Sequence, residues 1–362
     1  MTFCSKLIIS NTGMIIGNKI WLCSDAIGVL LCIDLPSSTL EEFYCIPEAS
    51  QRSQAVGGMI KNEDDLYLIP YNMEYLVRFT ISNKTFRVID IINDETKKVN
   101  YKYARGFLYN DKLFLIGQQG SQNILVYDVV TERVIKTIDY RKLIKDEEFV
   151  WINNLSTYVI EDNYAYLNVM GIGAILSINL DTYHTELLKI DSSELKDGVM
   201  ALTECGDGTI AVSGVHGEIA LWNPSNNSIE KYCKGDCNGG YQLLISIENK
   251  IICIPLYETE IDVIEKNKKK NIHVEYKNKE NIKWKYRFTD KYKDIIVIQS
   301  GYSGEFYFVD YQHGEAENID LMISEEIGKR IYKIAIEEMP ISTEGERLNL
   351  SGFLNGLTLE DN

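Results

Sequence analysis

Short runs of four or five β-forming residues recur along this chain, each opened by a turn rich in Asn, Asp, Lys or Gly and followed, after a loop, by a second run. The first copies read Lys19-Ile20-Trp21-Leu22, Asp65-Leu66-Tyr67-Leu68 and Lys112-Leu113-Phe114-Leu115. The series continues as Tyr164-Ala165-Tyr166-Leu167, Thr209-Ile210-Ala211-Val212, Lys250-Ile251-Ile252-Cys253 and Asp294-Ile295-Ile296-Val297. Successive copies lie about 46 residues apart, over a range of roughly 41 to 52, the length of one four-stranded repeat. A second anchor keeps the same step, an apolar residue followed by a small or acidic polar one: Ile33-Asp34, Phe79-Thr80, Tyr127-Asp128, Ile178-Asn179, Trp222-Asn223, Ile264-Glu265 and Val309-Asp310. Asp and Asn suit the end of a strand entering a tight turn because their side chains hydrogen-bond the turn backbone.

Each repeat then supplies four strands. In the third, Gly106–Tyr109 precedes Leu113–Ile116, Ile124–Tyr127 and Val134–Ile138. The links are too short for crossover helices, so neighbouring strands must be antiparallel. One such sheet is apolar on both faces, and packing sheets face to face around an axis buries both while leaving only short edges. The expected fold is an all-β, seven-bladed β-propeller, with six or eight blades as the alternatives. It occupies residues 1–322, followed by a helical extension over 323–362.

The repeats resemble the broad class of propeller blades that includes the WD40, kelch and quinoprotein types. Ser213-Gly214-Val215-His216-Gly217-Glu218-Ile219-Ala220-Leu221-Trp222-Asn223 resembles a WD40 blade with Asn in place of the usual Asp. Gly57-Gly58 ahead of Leu66-Tyr67 is similar to a kelch double glycine. Neither hallmark recurs in the other repeats, so the resemblance implies architecture and assigns no subfamily, and such a fold says little about function.

At the N-terminal end Lys6-Leu7-Ile8-Ile9-Ser10 reads as a strand without a partner in its own repeat, expected to pair with the last blade and close the ring. At the other end Ile327, Ile331, Ile334 and Ala335 fall at helical spacing between Ser324 and Met339, with Pro340 as the stop. A shorter helical pattern follows, and Leu350, Phe353, Leu354 and Leu357 give it an apolar stripe that must dock on the propeller or on a partner.

The net charge of −16 and a pI near 4.8 argue against generic nucleic-acid or anionic-membrane binding. The stretch Glu265–Asp294, with Lys268, Lys269 and Lys270, runs against that trend and reads as a solvated outer strand or a docking patch for an acidic partner. Abundant Lys, Ile, Asn, Glu and Tyr are the composition expected of an AT-rich, low-GC bacterial genome. The chain has eight cysteines, and Cys23, Cys32 and Cys253 lie in apolar runs where cysteine acts as a small hydrophobe. With no secretory leader and no long apolar span, the expectation is a cytoplasmic protein with reduced thiols and no membrane insertion.

Catalytic signatures are weak. His184, His216, His273 and His313 fall in different repeats, and Cys233 and Cys237 have no second pair at zinc-site distance, so no metal and no cofactor is expected. There is no Gly-x-Ser-x-Gly elbow. The best candidate site is the set of loops after the second strand of each blade, with Asp25, Tyr71, Asn72, Gln118, His216, Tyr257 and Tyr302, because aromatic planes bury apolar surface while their polar tips select. The run Lys283-Trp284-Lys285-Tyr286-Arg287-Phe288 alternates cations with aromatics, and Lys283, Lys285 and Arg287, with Arg105, form a candidate anion-binding or channel-lining set. The functional expectation is a non-enzymatic module for a protein, peptide or glycan-linked partner. The alternative is a propeller hydrolase or lyase acting on a saccharide or peptide in the central pocket.

Overall fold

A computed structural model describes residues 8–49, 54–118, 121, 123–143, 157–169, 171–193, 195–234, 237, 239–265, 268–275, 286–301 and 304–338. The chain folds as a seven-bladed β-propeller, each of the seven sheets built from four consecutive strands. It divides into two compact units, one of Met1–Asn100, Arg287–Val309 and Glu317–Asn362, the other of Tyr101–Tyr286 and Asp310–Ala316.

In the first unit, sheet one holds β1 (Thr12–Ile16), β2 (Lys19–Cys23), β3 (Val29–Asp34) and β4 (Thr39–Cys45). Sheet two holds β5 (Val56–Asn62), β6 (Asp65–Pro70), β7 (Leu76–Thr80) and β8 (Thr85–Ile89), and a one-turn helix α1 (Asp94–Lys97) follows. In the second unit, sheet three is β9 (Tyr103–Tyr109), β10 (Lys112–Gly117), β11 (Ile124–Asp128) and β12 (Arg133–Ile138). Sheet four is β13 (Tyr158–Glu161), β14 (Tyr164–Val169), β15 (Ala174–Asn179) and β16 (Thr185–Lys189). Sheet five is β17 (Val199–Glu204), β18 (Ile210–Gly214), β19 (Glu218–Asn223) and β20 (Ser228–Lys234). Sheet six is β21 (Tyr241–Ile247), β22 (Lys250–Pro255), β23 (Glu260–Glu265) and β24 (Lys268–His273). Sheet seven, most of which belongs to the first unit, is β25 (Tyr286–Tyr292), β26 (Ile295–Ser300), β27 (Phe306–Asp310) and β28 (Glu315–Ile319), and after it come β29 (Met322–Ile323) and α2 (Glu325–Glu338), also of the first unit.

The seven recurring β-forming runs are the second strands of the seven sheets. They are buried on both faces, as in β6, β10 and β22, where only the first residue is partly exposed. Two-sided burial is why these strands read as continuous apolar runs instead of alternating ones. The outermost strands are wetter, and every residue of β12 from Arg133 to Thr137 is exposed. Between sheets one and two, Trp21, Tyr44 and Phe79 interlock, with ring centroids 5.1–6.5 Å apart. Between sheets four and five, Tyr166 meets Trp222 edge-on at 5.2 Å.

The second anchor ends the third strand of every sheet. Asp128 Oδ1 accepts from the amides of Val130 and Thr131, Asn179 Oδ1 from Asp181 and Thr182, and Asp310 Oδ1 from Gln312 and His313. Four residues after six of the seven anchors the chain enters the left-handed region, at Ser38, Lys84, Glu132, Tyr183, Asn227 and Gly314. Only the last two are residue types that announce it.

The expected N-terminal strand is corrected by the described part of that segment. Ile8, Ile9 and Ser10 belong to no strand, and Lys6 and Leu7 lie outside the described residues. The segment still meets sheet seven, through one side chain: Gln299 Oε1 accepts from the Ser10 amide at 3.0 Å, and Gln299 Nε2 donates to the carbonyls of Ile8 at 2.9 Å and Gly304 at 3.2 Å. Pairing across the two ends of the chain is made instead by β29, which adds to sheet one as a fifth strand, parallel to β4.

Helix α2 follows directly, and the Ser324 hydroxyl caps it by accepting from the Ile327 amide. Its stripe of Ile327, Ile331, Ile334 and Ala335 packs on Leu40, Phe43 and Phe306, filling the seam between sheets one and seven. Arg330 lies over the Phe43 ring at 4.7 Å. Residues after Glu338, with Leu350, Phe353, Leu354 and Leu357, lie outside the described residues.

Asp290 in β25 is half-buried and accepts from the Ile15 amide of β1 at 2.7 Å. Burial raises its carboxyl above the ordinary value, against the pull of its two backbone donors. A carboxyl raised in the folded state holds its proton longer there than in the unfolded chain. The native state is therefore favoured below the ordinary carboxylate range and loses that advantage as pH rises through the folded value. Asp290→Asn keeps an acceptor and removes the charge. Its melting temperature relative to the unsubstituted protein should rise between about pH 4 and pH 7; a difference that is flat with pH would refute this.

Candidate functional site

In the first unit, Asp25 and Arg287 belong to one network, although the sequence placed them in different candidate sets. Asp25, in the loop after β2, accepts from the Asn11 amide and from Asn11 Nδ2 at 2.8 Å. Arg287, in β25 between buried Tyr286 and Phe288, donates through Nη1 to Asn11 Oδ1 at 3.0 Å. Burial lowers the guanidinium's proton affinity, and the nearby Asp25 carboxylate opposes that shift. Asn11 thus bridges cation and carboxylate, a polar fastening of the kind that holds a buried charge in place. Tyr71 and Asn72 follow β6 and are half-buried, and both their amides donate to the Ala55 carbonyl. Tyr302, Lys283 and Lys285 lie outside the described residues.

In the second unit Gln118 lies at the end of β10 and is buried, its amide donating to the Lys102 carbonyl at 2.7 Å. Arg105 is half-buried in β9, close enough to Tyr158 for its charge to act on that phenol. The loops of sheets five and six present the remaining candidates, His216 after β18 and Tyr257 after β22. A side chain at Gly217 would meet the Cys237 carbonyl at 3.0 Å, and one at Gly240 would meet the Gly214 carbonyl at 2.7 Å, so the segment between the two sheets is laid against the loop carrying His216.

Gly240 also receives two donors at its carbonyl, Cys237 Sγ at 3.1 Å and the Leu256 amide at 3.1 Å, which tie that segment to the loop carrying Tyr257. Burial pushes the Cys237 thiol up to about 12, so it stays protonated and able to donate. The Tyr257 ring presents one edge to Gly239, whose φ is +85° and where a Cβ would come within 2.3 Å of the ring. The residue is 41% exposed. In the loop after β18, His216 Nε2 stands 3.3 Å from Asp197 Oδ2, both groups open to solvent. Asp197 and Gly239 were not singled out in the sequence; the Gly239-Gly240 pair was the visible signal of a close backbone approach.

The basic run of β24 is partly used within its own unit. Lys269 pairs with buried Asp262 at 3.4 Å, Asp262 also accepts from the Tyr241 hydroxyl, and Lys270 donates to the His313 carbonyl at 2.7 Å. Seven cysteines are described and none of them is joined in a disulfide; Cys4 lies outside the described residues. Among the described residues no helix is long and apolar enough to cross a membrane.

No protein-family model matches this chain, and no curated protein matches it in sequence. Its fold is similar to that of the computationally designed Ika8 protein, at 10% identity and a TM-score of 0.59, over 87% of this chain and 88% of that one. It is also similar to PorZ of Porphyromonas gingivalis, an essential bacterial surface component of the type-IX secretion system, at 12% identity and a TM-score of 0.60 over 88% of this chain. This chain spans only 39% of PorZ. BamB from Moraxella catarrhalis aligns at 13% identity and a TM-score of 0.52, over 81% of this chain and 82% of that one. The class these likenesses define is the β-propeller. At such identities they define the fold alone, and no subfamily.

Proposed function

We propose that this chain is a non-catalytic binding module that captures a protein, peptide or glycan-bearing partner on the loops following the second strands of its sheets. The observation that carries this reading is the loop surface of sheets five and six. There an exposed tyrosine ring lies against a glycine backbone, and the loop of the preceding sheet carries a solvent-facing imidazole and carboxylate. A ring fixed by backbone contact loses little entropy on binding, and the polar groups can select among ligands that stack on it.

The test is capture on arrays of peptides and of glycans by purified protein. Tyr257→Ala should cut the strongest signals at least about tenfold, the usual cost of an aromatic anchor. Its melting temperature should stay nearly unchanged, since exposed loop residues add little to folding. Gly239→Ala should have the same binding effect with the tyrosine still present, because the added methyl displaces the ring. Array signals that survive both substitutions would overturn the reading, as would a large fall in melting temperature with Tyr257→Ala.

A further inference from the structure

A second surface of the second unit carries a different chemistry from the Tyr257 loops. The turns joining first to second strands in sheets five and six come together around a cleft of about 170 Å³. Its apolar lining is Cys205, Leu221, Tyr232 and Ile251, and its mouth carries the carboxylates of Asp207 and Glu248. The one cation in the lining, Lys250, has its ammonium 5.6 Å from the ring centre of Tyr311. Asp207 has further acids for neighbours. Burial raises the Glu161 carboxyl above its ordinary value, and the charges of Asp162, Glu204 and Asp207 push it the same way. Glu161 lies against the 205–209 loop, with Oε1 3.4 Å from where a Cβ on Gly208 would stand. Its Oε2 is shut off from solvent and meets no hydrogen-bond donor among the described residues.

We propose that this cleft is a docking site for a lysine or arginine side chain of a basic peptide. A long cationic side chain has an aliphatic stem and a charged tip. The apolar lining suits the stem, and the carboxylates at the mouth suit the tip. The surrounding acids supply charge complementarity beyond the single side chain, which raises the rate of encounter and orients the partner. An acidic peptide or a nucleic acid would meet like charge at the same mouth. The inference is independent of the Tyr257 loops, and either site can fail without the other.

The experiment uses the full chain and a fluorescein-labelled octapeptide of alternating lysine and serine, with its fully acetylated form as control, followed by fluorescence anisotropy at low and moderate salt. The lysine peptide should bind and the acetylated form should not. The double substitution Asp207→Asn with Glu248→Gln should weaken binding at least tenfold. A control double substitution of the same charge, Asp94→Asn with Glu95→Gln on α1, should change it less than twofold. Tyr232→Leu should weaken binding at unchanged net charge, because it alters the lining and not the mouth. Equal losses from the cleft and control pairs would reduce the interaction to bulk charge and overturn the proposal. Lack of binding at low salt would overturn it too, as would Tyr232→Leu binding as well as the unsubstituted protein. Thermal melts of each variant separate loss of binding from loss of fold.

Discussion

Replacing Gln299 by leucine should be among the most destabilising single changes in this protein, lowering stability by about 3–5 kcal/mol in a denaturant titration. The side chain is fully buried, and its three hydrogen bonds serve backbone groups: the Ser10 amide and the carbonyls of Ile8 and Gly304. Ser10 is itself buried, so water cannot replace the lost partner. Each orphaned buried group costs about 1–3 kcal/mol, and the leucine would not recover it by packing. Gln299→Glu makes a sharper test. A carboxylate there could still accept from Ser10 but would face two carbonyls it cannot donate to, so its proton affinity should rise. The variant should recover part of its stability as pH falls through that raised value. A loss below about 1 kcal/mol for the leucine variant would mean that the 8–10 segment is not held by this side chain.

Ile331→Asp should produce a loss of similar size, about 3–5 kcal/mol, whereas Ile331→Ala should cost about 2–4. Ile331 is fully buried where α2 fills the seam between sheets one and seven, among Leu40, Phe43 and Phe306. An aspartate there would have no cation inside the apolar cluster, and the helix would have to lift off the seam to hydrate it. Lifting would also part Arg330 from the Phe43 ring. Both variants can be followed by melting and by limited proteolysis within α2. Cleavage that appears only in the aspartate variant, with the sheets still folded, would identify release of the helix as the event. A stable Ile331→Asp variant would show that α2 contributes nothing to the seam.

The sheets were legible because two-sided burial leaves a mark in the sequence. A strand pressed between neighbouring sheets must be apolar throughout, so Lys19–Leu22 and its six counterparts stand out from their surroundings. The Asp and Asn anchors were legible for a related reason, since their side chains are consumed by the turn that follows. Helix α2 declared itself by the spacing of Ile327, Ile331 and Ile334. The left-handed turn positions were hidden because Ser38, Lys84, Glu132 and Tyr183 adopt that conformation under the constraint of the hairpin, not by residue preference.

The 8–10 segment was misread because Ile8 and Ile9 look like a strand in isolation. What fixes their backbone is a glutamine 289 positions away from Ser10, and no local pattern records that. The same holds for Asn11, whose role depends on Asp25 and Arg287 arriving on either side of it. The acidic cleft was invisible for a third reason. Asp207, Glu248 and Glu161 each look like ordinary turn residues, and only the packing of sheets four to six brings them together.

The addition of β29 to sheet one has a consequence for how the protein is made. On the ribosome the first sheet emerges with the start of β4 bare, and its edge at Thr39 and Leu40 stays open until Met322 and Ile323 arrive. An uncovered edge is a template for wrong pairing with any nascent chain nearby. Translation that stalls before Met322 would release a protein with its sheets present but this edge unsealed, so the expected damage is aggregation and not simple loss of a tail. Moving the chain ends by circular permutation, so that β28 leads through β29 straight into β1, would seal the edge early and should raise the soluble yield.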